Sequence, residues 1–175
     1  MPTFSSCSAA LLLLLAASQV IAADLPANLP KHKPGLWTMA SQVGDRKSPA
    51  SQICLDPSIE ATMYKMSSAM GSSLCQKMDI QVHGNKVVSD SVCTMPAMLG
   101  GKATNISGHA ETTFDGDTAF HTESVAHYEP AFMGKTERVT VQNGHWVSAC
   151  TAGMKPGDLI SPNGKIVNLS QLMPH

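Results

Sequence analysis

Cysteine is the residue type in this sequence most able to do covalent chemistry. Of five cysteines, one precedes an apolar run at position 7, and four are spread over the rest of the chain: Cys54, Cys75, Cys93 and Cys150. None of the intervals between them is the C-x-x-C spacing that is typical of zinc sites. An even number of cysteines is typical of the disulfide framework of an exported chain. The sequence therefore predicts two disulfides in place of nucleophilic thiols.

The stretch from Cys75 to Cys93 has the pattern of a β-hairpin that turns at Gly84-Asn85. A two-residue turn would set Asp79 opposite Asp90, whereas a three-residue loop would bring the apolar residues of the two strands together. Apolar pairing and charge repulsion both favour the three-residue loop.

The register bears on the disulfide pairing. With the three-residue loop, Cys75 and Cys93 are diagonal neighbours about 7–8 Å apart, which is too far for an unstrained bridge. We therefore expect the bridges Cys54–Cys75 and Cys93–Cys150, although spacing alone leaves three connectivities open.

Methionine is the second residue type of interest, with 11 residues against four Phe. Thioethers are soft ligands that select Cu(I) or Ag(I). One set follows a helix start at Asp56-Pro57 and has helical spacing: Ile59, Met63, Met66 and Met70. We expect this set to form the buried face of a short helix, because Met is an adaptable core residue. Met95 and Met98, in a predicted loop, remain as candidate ligands, but two thioethers alone do not predict a metal site.

Histidines and acids alternate on two predicted strands that meet at Asp115-Gly116. His121 and His127 share one face of their strand but lie about 20 Å apart. A two-residue turn would place His109 of the neighbouring strand on the opposite face from His121, and a one-residue bulge would bring the two together. We interpret these residues as a solvated polar face.

Enzyme signatures are missing from the sequence: it has no H-E-x-x-H, no G-x-S-x-G, no glycine-rich phosphate loop and no S-x-x-K. We therefore predict a non-enzymatic protein with no catalytic residues and no cofactor. Trp37 and Trp146, near the first and last main strands, are candidates to line an apolar cavity where a barrel closes. The formal net charge of −1 argues against binding to nucleic acid.

The chain of 175 residues divides into four predicted segments. Residues 1–23 have the apolar run and small-residue cleavage site of a signal peptide, and the mature chain has no predicted membrane span. Residues 24–34 form an extended leader, and 35–152 a disulfide-braced β domain. The tail at 153–175 has room for a short hairpin of Leu159-Ile160 against Ile166-Val167. Six or more antiparallel strands with tight turns predict an all-β meander, as a curled sheet or barrel, with one short α-helix.

Several short motifs occur in a recognisable order: Lys33-Pro34-Gly35-Leu36-Trp37, Cys54-Leu55-Asp56-Pro57, the cysteines flanking the Gly-Asn hairpin, Phe114-Asp115-Gly116-Asp117 and the Trp146 to Cys150 ending. Together they resemble the DUF3617 family of exported bacterial proteins of unknown function. The resemblance implies a β-rich disulfide domain in the bacterial periplasm or outside the cell. It supplies no catalytic residues.

The sequence therefore predicts a periplasmic or secreted binding module for a small apolar ligand or a peptide. One alternative is an interaction protein of the envelope that contacts an envelope partner. The other is a methionine-based Cu(I) or Ag(I) binder.

Overall fold

In the part of the chain that the structure describes, one antiparallel β-sheet is crossed by one α-helix. The computed structural model describes residues 26–97 and 102–172. The strands in chain order are β1 (Gly35–Val43), β2 (Arg46–Lys47), β3 (Ser51–Leu55), β4 (Cys75–His83), β5 (Lys86–Met95), β6 (Thr104–Asp115), β7 (Ala119–Phe132), β8 (Lys135–Ser148), β9 (Asp158–Ile160) and β10 (Ile166–Asn168). Helix α1 (Pro57–Leu74) joins β3 to β4, and a short 3-10 helix (Leu169–Leu172) follows β10.

The sheet runs in the order β10-β9-β3-β1-β8-β7-β6-β5-β4, with β2 attached to β1. It is curled but not closed, which confirms the all-β prediction with one helix. Successive strands pair as neighbours from β4 to β8, as in a meander. The C-terminal segment belongs to the same sheet, because β9 pairs with β3 and Leu159 and Ile160 pair with Val167 and Ile166.

Helix α1 begins at a well-formed cap. The side chain of Asp56 accepts a hydrogen bond of 2.9 Å from the Ile59 amide, and Pro57 occupies the first turn. The 18 residues of the helix span about 27 Å. Six strand spacings of about 4.8 Å separate β3 from β4, so the helix has the length needed to cross the sheet from one strand to the other.

The core lies where the start of the helix meets β1 and β3. Trp37 is fully buried, and it packs with Ile53, Leu55 and Ile59. Alternate residues of each strand share the face of the sheet on which α1 packs; we call this the helix face and the opposite one the outer face. On the helix face, Gly144 is buried directly beside the ring of Phe120.

The predicted register of the β4–β5 hairpin is wrong. The turn has two residues, so that His83 pairs with Lys86 and Asp79 lies opposite Asp90. The charge repulsion that argued against this register is offset, because the ring of His109 on β6 lies 2.8 Å from a carboxylate oxygen of Asp90.

The predicted disulfide pairing is also wrong. A β-bulge between Cys75 and Lys77 brings Cys75 opposite Cys93, and these two residues form the hairpin disulfide. Cys54 at the end of β3 bonds to Cys150 after β8; this is the long-range disulfide. The pairing Cys54–Cys75 and Cys93–Cys150 is therefore excluded.

Two dipeptides that are typical of turns and strand breaks lie inside strands. Asn143-Gly144 lies within β8, opposite Ala40 and Met39 of β1. Glu129-Pro130 lies within β7, where a register shift lets the strand continue to Phe132. Within the described part of the chain, none of the helical segments combines the length and the apolar character that a membrane crossing would need.

Candidate functional site

The outer face collects most of the histidines of the chain. Continuous pairing from β4 to β8 places five of them on this face: His83, His109, His121, His127 and His145. The shared face depends on the β6–β7 connection, in which Asp115 pairs with Ala119 across a three-residue loop. Of the two arrangements that the sequence left open, the two-residue turn is therefore excluded, and His109 and His121 lie on the same face.

Each of the three central histidines contacts a polar partner on the same face. His109 Nδ1 lies 2.8 Å from an Asp90 oxygen, and His127 Nδ1 lies 3.4 Å from a Glu137 oxygen. The ring of His121 contacts two partners, which are described next. The side chains are about half exposed, so these contacts organise the face without excluding water from it.

His121 has the most strongly fixed ring. Its Nδ1 lies 2.8 Å from the amide oxygen of Asn143, and its Nε2 lies 3.2 Å from a carboxylate oxygen of Glu123. The hydrogen bond to Asn143, followed by the one to Glu123, raises the pKa of His121 above its usual value of 6.5. On the neighbouring strand, the hydrogen bond from Lys86 lowers the pKa of Glu111.

Three clefts lie side by side along this face and share lining residues, and we call them together the outer groove. The first, about 550 Å³, lies where the β7–β8 hairpin departs from β5 and β6. The second, about 240 Å³, shares Val92, Ser107 and His127 with the first. The third, about 430 Å³, shares His109 with the second.

The two ends of the outer groove differ in chemistry. The end at the β7–β8 hairpin, which we call the apolar end, combines Val92, Pro130 and Ala131 with His127 and Glu129 in its lining. The other end is ionisable, and its lining includes these residues: His109, Glu111, His121, Glu123, Val125 and Val139. From Ser107 to Thr113 along β6 the groove is about 20 Å long. It therefore has the dimensions of an extended segment rather than of an enclosed small molecule.

Two arrangements that are typical of catalytic sites are not found among the described residues of the outer groove. In the part of the chain that the structure describes, no serine or threonine hydroxyl hydrogen-bonds to a histidine ring, as a nucleophile and its base would. The same residues contain no cluster of three His, Cys, Asp or Glu side chains that could hold a metal ion.

The two tryptophans do meet, because Trp37 pairs with Trp146 across β1 and β8. Trp37 has no exposed surface, so it cannot line a ligand cavity in this conformation. Trp146 is half-buried; its Nε1 donates to the Pro34 carbonyl at 3.0 Å, and the Lys33 ammonium lies 3.9 Å from its ring centre. Both rings serve to hold the segment before β1.

The methionines lie elsewhere than expected. Met63, Met66 and Met70 are 40%, 39% and 62% exposed, so the predicted buried face is wrong beyond Ile59. The helix instead packs through Gly71, which is buried against Met78 of β4. Of the two candidate metal ligands, Met95 is half-buried at the end of β5 and Met98 lies outside the described residues.

One polar contact was missed by the sequence reasoning. Nδ1 of His32 lies 2.7 Å from a carboxylate oxygen of Glu60 on α1, and both side chains are largely buried. The ring of His32 lies edge-on to Trp37 and Phe120, at centroid distances of 5.0 and 5.3 Å. Burial, followed by the charge of Glu60, raises the pKa of Tyr64 one turn along the helix. The proline-rich stretch around His32 gave no signal of this contact.

The sequence profile of one protein family, described as a protein of unknown function (DUF3617), matches residues 32–150. The chain belongs to the DUF3617 family. The matched range begins at His32 and ends at Cys150, so in this DUF3617 protein it includes both disulfides and the whole outer groove. No curated protein and no solved structure matches the chain.

Proposed function

We propose that this DUF3617 protein is a non-enzymatic binding module that holds an extended peptide in the outer groove. The observation that carries the proposal is the adjacency of the three clefts, which share lining residues along one face of β5 to β8. A further part of the proposal is that the protein works in an oxidising compartment, the periplasm or the cell exterior. The two disulfides support this location, because such bonds are rare in cytosolic proteins.

The chemistry of the groove favours a peptide over a small apolar ligand. Its apolar end provides a surface for one apolar side chain, next to Val92 and Pro130. Its ionisable end presents carboxylates and imidazoles, which bind the amides and polar side chains of an extended chain. At about 3.3 Å per residue, the groove accommodates about six residues of an extended peptide.

The test is a positional-scanning library of hexapeptides, with binding followed by the amide NMR spectrum of the labelled protein. We expect selected peptides to carry an apolar residue at one end and to shift the signals of β5, β6 and β7. The variant Val92→Lys places a charge in the apolar end of the groove, because Val92 is 44% exposed there. It should weaken binding about 10-fold or more, since burying one apolar side chain contributes about 1.5–3 kcal/mol.

The matched control is Val147→Lys. Val147 is also 44% exposed and lies near the end of β8, outside the groove lining. Equal loss of binding in the two lysine variants would contradict the proposal, as would a library without any binder. A small apolar molecule retained through purification, and seen as added mass in native mass spectrometry, would instead favour the ligand-binding alternative.

A second candidate function rests on the exposure of Met63, Met66 and Met70 along α1. Neighbouring thioethers three and four residues apart on a helix form a soft surface that suits Cu(I) or Ag(I). Titration with Ag(I) tests this function, with the triple Leu variant as the comparison, because Leu keeps the apolar volume and removes the sulfur. Identical Ag(I) binding by the two proteins would exclude these methionines as ligands.

A further inference from the structure

The two edges of the sheet differ in length. At one edge, β10 has only three residues and is followed directly by the 3-10 helix. At the other edge, β4 has nine residues. The Cys75 amide at the start of β4 donates to the Gly71 carbonyl of α1. For residues 77–83, among the described residues, the only backbone hydrogen bonds to another segment are those to β5. A long edge strand of this kind presents a row of backbone donors and acceptors to another strand.

The hairpin turn determines which backbone groups of β4 face outward. His83 and Lys86 flank the two-residue turn at Gly84-Asn85 and form a hydrogen-bonded pair. Hydrogen-bonded and non-hydrogen-bonded pairs alternate along an antiparallel ladder. The N–H and C=O groups of Met78, Ile80 and Val82 therefore point away from β5 and remain available at the edge.

The start of β4 is protected against pairing, but its middle is not. The bulge after Cys75 and the charged Lys77 are devices that discourage edge-to-edge association. From Met78 to Val82 the strand has no bulge, proline or charged residue on the helix face. The three residues with free backbone groups are apolar and half-buried, so a second strand here would also cover apolar side chains.

We propose that a second copy of this chain pairs with the β4 edge, antiparallel and about a two-fold axis through Ile80. In this register Ile80 lies opposite its own copy, Met78 lies opposite the partner's Val82, and Asp79 lies opposite the partner's Gln81. About six backbone hydrogen bonds form from the three outward-facing pairs. The apolar residues of the helix face meet apolar residues, and each Asp79 carboxylate meets an amide.

Electrostatic repulsion disfavours the register in which the two-fold axis is shifted by one residue. A shift of the two-fold axis to Asp79 would place the two Asp79 carboxylates directly opposite each other, which is destabilising. The same shift would leave Val82 opposite the partner's Gln76 and lose an apolar pair. The edge is therefore self-complementary in the Ile80 register. This interaction surface is separate from the outer groove and does not depend on the proposed peptide binding.

Analytical ultracentrifugation of the purified protein, from about 1 μM to about 1 mM, tests the proposal. We expect a reversible dimer at the upper end of this range. Ile80→Pro removes one outward N–H without touching the β4–β5 ladder, a position where edge strands accept proline. The variant should be monomeric throughout, whereas Ile80→Val should dimerise like the wild type.

A second variant and a second measurement keep the proposal testable if Ile80→Pro does not fold. Ile80→Lys sets two ammonium groups against each other at the axis, and it should shift the dimerisation midpoint at least 10-fold upward in concentration. In a mixture of labelled and unlabelled wild-type protein, a contact between the α-hydrogens of Asp79 and the partner's Gln81 is expected, because non-hydrogen-bonded pairs lie about 4.5 Å apart. A protein that stays monomeric at 1 mM, or a dimer unaffected by both charged and proline variants, would overturn the proposal.

Discussion

The substitution Gly144→Ala tests the packing of the aromatic residues on the helix face. A methyl group added at Gly144 would stand 2.2 Å from Cε1 and 2.6 Å from Cζ of Phe120. Phe120 cannot turn away freely, because its ring contacts the rings of Trp37, Phe114 and His32 at centroid distances of 6.1, 6.3 and 5.3 Å. The added methyl must therefore displace a strand or several rings.

The expected loss of stability follows from two opposing effects. Overpacking of a core costs about 1–3 kcal/mol, and the overlap with Phe120 places this substitution near the upper end. Replacing glycine stabilises by about 0.4–1 kcal/mol, because it restricts the unfolded chain. The net loss is therefore about 2 kcal/mol, which lowers the melting temperature by about 4–8 °C for a protein of this size.

The energetic coupling between positions 144 and 120 is measured by urea unfolding of four proteins: the wild type, Gly144→Ala, Phe120→Leu and the double variant. Leucine removes the ring atoms that the methyl would overlap, so the double variant should be more stable than additivity predicts, by about 1 kcal/mol or more. Gly108→Ala is the control, because its methyl would meet only the rotatable hydroxyl of Ser91, at 2.8 Å. A Gly144→Ala protein within about 0.5 kcal/mol of wild type would refute the packing argument.

Three further predictions concern the disulfides, one histidine and the helix cap. Opening the long-range disulfide should destabilise the protein by about 4–5 kcal/mol, and opening the hairpin disulfide by about 3 kcal/mol, because the bonds close loops with sequence separations of 96 and 18 residues. Unfolding of the serine variants measures both losses, and non-reducing peptide mapping checks the pairing. Because the pKa of His121 is raised, the stability that this histidine contributes is present below pH 6.5 and declines as the pH rises through the folded-state pKa. In an NMR titration, the pKa of His121 should be lower in Asn143→Ala than in the wild type. Asp56→Ala should cost about 1 kcal/mol in chemical unfolding, while Asp56→Asn keeps a capping oxygen and most of the stability. The hydrogen bond from Ile59 lowers the pKa of Asp56. The stability that the Asp56 carboxylate contributes is therefore lost as the pH falls from 3.8 through the folded-state pKa. Equal loss of stability with acid in the wild type and in Asp56→Asn would argue against the cap.

The strand order of the fold could be predicted in large part from alternation and turn residues, but the hairpin registers could not. Local pairing rules judged Asp79 and Asp90 incompatible, because they take no account of a third strand. In the fold, β6 supplies His109 beside Asp90, and Gln81 donates to Asp79 at 2.9 Å. The bulge that brings the hairpin cysteines together leaves no mark in the sequence, and the error in register led directly to the error in disulfide pairing.

The outer groove was visible in the sequence only as fragments. Alternation correctly placed His121 and His127 on one face of their strand, but Asp115-Gly116 suits loops of either two or three residues. The loop length decides whether His109 lies on the same face as His121 and His127. The pairing of the long strands β6 and β7 determines that length, and the loop sequence alone does not. Similarly, helical periodicity identified the methionine stripe of α1 but not its exposure, because the close approach to β4 occurs at Gly71.

The nested order of the disulfides has a consequence for synthesis. Of the four bonded cysteines, Cys54 leaves the ribosome first and Cys150 last, and the two cysteines of the hairpin disulfide appear between them. An oxidant that joined thiols in their order of appearance would connect Cys54 to Cys75, which is not a native bond. The native pairs therefore require either that Cys75 stays reduced until Cys93 follows, or that an early bond is exchanged later by thiol–disulfide attack. By the second route, maturation of this protein requires a factor that rearranges disulfides as well as one that makes them.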